Sequence, residues 1–396
     1  MLNTPFSPWP SFTPEEADVV REVILSNKVN YWTGQECRKF EREFAAWTGC
    51  DYAVALSNGT LALDAALKAL GIGPGDEVIV TPRTFLASAS CIANTGARPV
   101  FAEVDRDSQN ITAATIQSVL SDRTRAIMCV HLAGWPCDMD PIMALANEHH
   151  LYVIEDCAQA HGARYKGRSV GSIGHIGAWS FCQDKIMTTG GEGGMVTTND
   201  KVLWSQMWSF KDHGKSWEAV YKREHKPGFR WLHESFGTNW RMLEVQAAIG
   251  RLQLERMADW HATRIALAQQ VWGMAAQLPG LRVPVIPSDI THAAYKCYVF
   301  VEPTLLKPEW NRDRIAEEIN AMGVPCYSGS CSEVYLEHAF DDTGWRPEPR
   351  LPVAKELGET ALMFLVHPTL TEQEIEKTCQ VLNDVMRLAA KKPAYA

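Results

Sequence analysis

Long apolar runs are missing from this 396-residue chain. No uninterrupted apolar stretch approaches the roughly 20 residues that span a bilayer, so no membrane helix is expected. Basic runs are missing too. The net charge is −9, and Lys and Arg never cluster beyond a few residues, which excludes a broad electrostatic footprint for nucleic acid. Residues 1–10 have neither the charged start nor the apolar stretch of a signal peptide, and a cytoplasmic protein is expected. The 11 cysteines are odd in number and include no CxxC pair. Cys129, Cys157, Cys182 and Cys297 sit inside apolar runs. Reduced, buried thiols are the expectation, and no Cys/His spacing supports a metal site. Internal repeats and low-complexity segments are also lacking.

What is present is ordinary in amount and ordered in arrangement. Hydrophobic residues make up 46% and charged residues 21%, as in a globular protein. The length fits a large domain plus a smaller one. Residues 52–56, 77–80, 98–103, 125–130 and 151–155 read as strands. Between them, 61–70, 84–95, 112–120 and 141–149 read as helices. The strands are apolar without strict alternation, which suits a parallel sheet buried on both faces. The β-α-β-α order predicts a doubly wound α/β domain. A long helical pattern follows over 243–278, with a possible break near Met257. Strands at 295–301, 324–327 and 361–365 and helices at 312–322 and 372–389 then predict a smaller C-terminal α+β domain. The division is placed between 1–255, which includes the N-terminal segment, and 256–396.

Three segments carry chemistry. Ser57-Asn58-Gly59-Thr60 lies between a strand and a helix. A helix N-terminus presents free N–H groups and binds phosphate well, although Ser57 or Asn58 could serve only as an N-cap. The strand at 151–155 ends in Glu155-Asp156, followed by Cys157-Ala158-Gln159-Ala160-His161-Gly162. Ligands of open α/β sheets collect at such strand ends, and a carboxylate there can hold a pyridinium N–H. Asp156 is preferred, because Glu155 continues the strand and faces the other way. Ser180-Phe181-Cys182-Gln183-Asp184-Lys185 follows an apolar run and precedes Gly190-Gly191-Glu192-Gly193-Gly194. A lysine held near cations or out of water becomes a nucleophile toward carbonyls. Ser180 can donate to a phosphate. Phe85, just past the strand at 77–80, can stack on a flat heterocycle or belong to the core. Asn239, before the long helix, can donate to a phosphate or cap that helix.

In order and spacing these segments, together with Trp32-Thr33-Gly34 and Phe40-Glu41, resemble the DegT/DnrJ/StrS sugar aminotransferases. That family belongs to the fold-type I pyridoxal phosphate enzymes, and the resemblance covers nearly the whole chain. It implies pyridoxal phosphate on Lys185 as a Schiff base, with Asp156 at the ring nitrogen. It implies Gly59, Thr60 and Ser180 around the phosphate. Phe85 would lie on one ring face and Gln159 on the other. Asn239 would reach the phosphate of the neighbouring subunit's cofactor in a homodimer. L-glutamate would be the amino donor, and Lys185 would also move the proton.

Arg83, the tryptophan- and histidine-rich stretch 211–234 and the segment 324–333 depart from the common pattern. They look most like the branch that makes 8-amino-3,8-dideoxy-octulosonate for lipopolysaccharide. The acceptor would then be an acidic sugar, 3,8-dideoxy-8-oxo-octulosonate, without a nucleotide. Arg83 is a candidate to grip its carboxylate through a bidentate pair, or else is a surface arginine or forms a salt bridge within its loop. Trp32 is a second substrate candidate. A nucleotide-linked 3- or 4-keto-sugar aminotransferase is the alternative. A dehydratase on the same scaffold would carry histidine in place of Lys185, and a non-catalytic regulator is a further reading.

Overall fold

The computed structural model describes residues 5–224, 226 and 230–391. Seven strands form its large sheet. Their order is Tyr52–Leu56, Gly194–Thr198, Ile176–Ser180, Tyr152–Asp156, Thr124–Val130, Glu77–Val80 and Arg98–Phe101. All neighbours run parallel except Gly194–Thr198, which is antiparallel to both of its partners. Glu77–Val80, Ile176–Ser180 and Gly194–Thr198 are buried at every position. Helices cover both faces of the sheet, which is why the apolar runs show no alternation. The helices between the early strands are Gly59–Ala69, Ala87–Asn94, Ala113–Gln117 and Met139–Glu148. This is the expected doubly wound, mostly parallel α/β architecture.

A second sheet has the order Leu281–Arg282, Cys297–Val301, Ala361–Phe364 and Cys326–Tyr327, all antiparallel. Helices Arg312–Ala321 and Glu372–Ala389 pack into its core. The two sheets are joined by one helix, Glu244–Ala275. It runs unbroken past Met257, contrary to the break expected there, because no proline or glycine pair interrupts it at that point. Met257 still packs in the core of the large sheet, whereas Leu267, Ala268, Val271 and Ala275 pack in that of the small one. We place the division between units 1–255 and 256–396 on this helix. Residues near the N-terminus reach across it: Phe6 packs against the small core and Ser7 N–H donates to Glu374 (2.5 Å).

Asn239 does not cap the long helix. The N-cap is Leu243, whose N–H donates to Gln246 Oε1 (2.8 Å). Cys129, Cys157 and Cys297 are buried free thiols, but Cys182 is only half-buried. Among the described residues no helix is long and apolar enough to cross a membrane.

Candidate active site

The C-terminal ends of the central strands open into a cleft of about 510 Å³. The structure brings Gly59, Thr60, Phe85, Asp156, Gln159, Ser180 and Lys185 to its walls.

One end of the cleft is built by the Gly59–Ala69 helix. Asn58 is its N-cap and accepts from Leu61 N–H (3.0 Å). A Cβ on Gly59 would lie 2.4 Å from Ser180 Cβ and 2.8 Å from its hydroxyl. Only glycine lets the end of the Ile176–Ser180 strand come this close to the helix N-terminus. The free N–H groups and the Ser180 hydroxyl thus form one cradle for an anion, of the shape a phosphate fills.

Deeper in the cleft stands Asp156, buried at 5% exposure. It accepts from Ser88 Oγ (2.8 Å) and Ala158 N–H (3.1 Å), and Ser88 in turn meets Thr84 (2.9 Å). Burial pushes its carboxyl up, against the pull of these donors and of Lys185. Glu155 leaves the same strand on the other face. It accepts from Gly171 (2.9 Å), Ile173 (2.8 Å) and Gly174 (2.6 Å) N–H groups and meets His131 Nε2 at 3.0 Å. Burial would raise its carboxyl, but His131 and the backbone donors hold it below the usual carboxylate range. His131, Glu155 and Cys157 are spaced closely enough for a metal ion. The four partners of Glu155 already fill its lone pairs, and the cluster reads as a buttress of the strand.

Lys185 Nζ lies 3.4 Å from Asp184 and 3.4 Å from the Tyr295 hydroxyl, which itself donates to Asp184. Its carbonyl accepts from Trp9 Nε1 (2.8 Å). The immediate partners of the amine are therefore a carboxylate and a phenol rather than cations. Phe85 is 71% exposed, so it is no core residue and offers a free ring face. Gln159 is buried, and its Oε1 accepts from Ala133 N–H (2.9 Å).

Three candidates do not line this cleft. Arg83 is fully buried. Its Nε donates to Gln109 Oε1 (2.8 Å), its guanidinium lies 5.2 Å from the Tyr298 ring, and Nη1 and Nη2 have no hydrogen-bond partner among the described residues. It is thus neither a surface residue nor half of a salt bridge in its loop. Its neighbour Thr84 donates to Cys331 O (3.1 Å), so the loop packs on the 324–333 segment. Trp32 stacks on Tyr221, with Lys215 Nζ 4.3 Å from its ring. Asn239 is exposed and bridges to Asp212. Of the 211–234 stretch, residues 225 and 227–229 fall outside the described residues.

Sequence reasoning missed Tyr295 and Trp9. Tyr295 was absorbed into a strand pattern that begins only at Cys297. Trp9 stands between two prolines, a sign of extended chain that says nothing of what it touches.

A helix-end anion cradle, a buried strand-end carboxylate, an exposed aromatic and a lysine in one cleft define a fold-type I pyridoxal phosphate enzyme. Residues 10–383 match the DegT/DnrJ/EryC1/StrS aminotransferase family, and the chain belongs to that family. It is a sugar aminotransferase with pyridoxal phosphate as cofactor. It is 67% identical to the aminotransferase from Psychrobacter cryohalolentis, with a TM-score of 0.95 over 97% of this chain and 99% of that one. DesV from S. venezuelae, solved with a ketimine intermediate, is 32% identical with a TM-score of 0.87 over 97% and 99%. GDP-perosamine synthase from Escherichia coli O157:H7 is 35% identical over 95% of this chain and 96% of its own length.

Proposed function

We propose that the chain moves an amino group from L-glutamate to the carbonyl of an acidic sugar, 3,8-dideoxy-8-oxo-octulosonate. The product would be 8-amino-3,8-dideoxy-octulosonate for lipopolysaccharide. The observation that carries an acidic acceptor is the set of cations in and around the adjoining cleft. Arg264 and Lys296 line a cleft that shares Asp184 with the cofactor cleft, and Arg83 stands close enough to Lys296 to act on its charge.

Bound pyridoxal phosphate supplies an electron sink. Lys185 is its attachment point. With the cofactor held there, Lys185 Nζ would also be the base that takes the proton from the donor carbon and the acid that returns it. Tyr295 and Asp184 orient that nitrogen. Asp156 would accept from a ring N–H of the bound cofactor, which would offset the cost of its buried charge. Gly59, Thr60 and Ser180 bind the phosphate, while Phe85 and Gln159 hold the two ring faces. Trp32 and Asn239 lie outside the cleft of their own chain, and the nearby Trp231 and Phe236 are exposed apolar rings. Both facts support a homodimer in which Asn239 reaches the partner's phosphate and Trp32 contacts substrate there.

The purified protein should be yellow and bleached by glutamate, and borohydride should abolish the visible absorbance while fixing the cofactor on Lys185. An acceptor panel tests the sugar. Amination of the oxidised octulosonate at least about tenfold above nucleotide-linked keto sugars is expected, and the reverse order overturns the choice. The alternative, a nucleotide-linked 3- or 4-keto-sugar aminotransferase, is favoured by one observation. GDP-perosamine synthase and the UDP-N-acetyl-3-dehydro-alpha-D-glucosamine 3-aminotransferase of Acidithiobacillus ferrooxidans are 35% and 36% identical to this chain.

A further inference from the structure

Beside Lys185 lies a second cleft, of about 550 Å³. Residues Phe6 to Trp9 form one wall, and Arg264, Tyr295, Lys296 and His367 stand around it. Arg264 projects from the long helix and is 2% exposed. Its guanidinium lies 4.9 Å from the Trp9 ring. Its Nε and Nη2 are buried and have no hydrogen-bond partner among the described residues. No described carboxylate lies within ion-pair distance of it. Asp184, which also lines the cleft, is already engaged by Lys185 and Tyr295. Lys296 Nζ donates to Ser330 Oγ (3.1 Å) and keeps further donors.

A buried guanidinium without partners is held at a cost in stability, and buried donors of native proteins are nearly always satisfied. Nε and Nη2 form one edge of the planar fork, and two parallel N–H groups on one edge fit the two oxygens of a carboxylate. Burial pushes the guanidinium down to about 9, which still leaves it charged at neutral pH.

We propose that Arg264, assisted by Lys296, binds a substrate carboxylate in this second cleft and so sets the reacting carbon at Lys185. The inference rests on the aminotransferase reading of Lys185, not on the octulosonate. The carboxylate can belong to the amino donor or to an acidic sugar. Trp9 links the two clefts, since its ring carries the guanidinium and its Nε1 holds the Lys185 carbonyl.

Calorimetric titration of the holoenzyme tests this with ligands that cannot react. The probes are glutarate, 3-deoxy-octulosonate, the methyl ester of the latter and a nucleoside diphosphate. Arg264→Met should weaken binding of the acids about tenfold or more and leave the ester unaffected. Arg264→Lys should lie between. Without ligand, Arg264→Met should melt no lower than the parent, because it removes an unpaired buried charge. The rise in melting temperature that the acids give the parent should vanish in it. Loss for glutarate alone assigns the site to the donor, loss for the sugar acid alone to the acceptor, and loss for both to both. Unchanged acid binding by a folded Arg264→Met overturns the proposal. So does weakened binding of a nucleoside diphosphate alone. If Arg264→Met does not fold, Lys296→Met decides, and unchanged acid affinity there overturns it. Should the parent bind glutarate through Arg264 but not the sugar acid, the octulosonate falls while the carboxylate site stands.

Discussion

Glu155 and Asp156 are consecutive, acidic and buried, yet the two faces of the sheet treat them in opposite ways. Behind the sheet, Glu155 has His131 and three backbone N–H groups, and its carboxyl is held low. On the cleft side, Asp156 has a serine hydroxyl and one N–H, and burial wins. The back face is finished as it stands. The cleft face gives Asp156 fewer donors than Glu155 has, and the neighbouring cleft leaves Arg264 Nε and Nη2 without a partner among the described residues. Full satisfaction marks scaffold, and a shortage marks where a bound molecule completes the protein.

The largest effect expected from breaking this contrast is at Lys185. Lys185→Ala should lower turnover on the order of a millionfold, as loss of other covalent groups does. Its bound cofactor should then be removable by dialysis after borohydride treatment. Turnover within tenfold of the parent would end the assignment. Asp156→Asn comes next, with about a thousandfold loss, near 4 kcal/mol of barrier, measured in single-turnover bleaching by glutamate. Its effect on the cofactor-free protein runs the other way. A carboxyl raised by folding is a stability cost above its unfolded value of about 4. Cofactor-free Asp156→Asn should therefore melt at or above the parent at pH 7, and the gap should close as pH falls toward 4.

Glu155→Gln should do the reverse of Asp156→Asn. An amide turns an N–H toward donors that the carboxylate satisfies, which costs about 3 kcal/mol in urea unfolding. Because folding lowers the Glu155 carboxyl, its contribution is full above the unfolded value near 4 and fades as pH falls through the lower folded value. The parent should lose that part of its stability in acid, and the variant should not. Colour and bleaching of the folded variant should stay close to normal. A variant as stable as the parent would remove the distinction between the two faces.

The architecture was legible because burial on both faces writes itself as apolar runs. Glu372–Ala389 lies at its expected ends, and most other elements lie within a few residues of theirs. Asp156 separated from Glu155 by strand alternation alone. The antiparallel strand Gly194–Thr198 was hidden, since its glycine start reads as a turn and its pairing is non-local. Arg264 was hidden for a different reason. On a helix with many charged residues it looks like any solvated arginine, and only the docking of Trp9, some 250 residues away in sequence, buries it. Arg83 was legible as unusual, but its complete burial depends on Tyr298 and the 324–333 segment folding over it.

Phe85 offers the smallest and most discriminating test of the shortage on the cleft side. At 71% exposure its ring contributes little packing to the folded chain. Phe85→Leu should therefore leave the melting temperature of the cofactor-free protein unchanged. If the ring stacks on a flat heterocycle, the aromatic part of that contact is worth about 1 kcal/mol. Cofactor affinity, read by equilibrium dialysis of the visible absorbance, should fall roughly fivefold. A core phenylalanine would give the opposite pattern, with stability lost and affinity kept. The pair of measurements thus separates a residue that waits for a ligand from one that holds the fold.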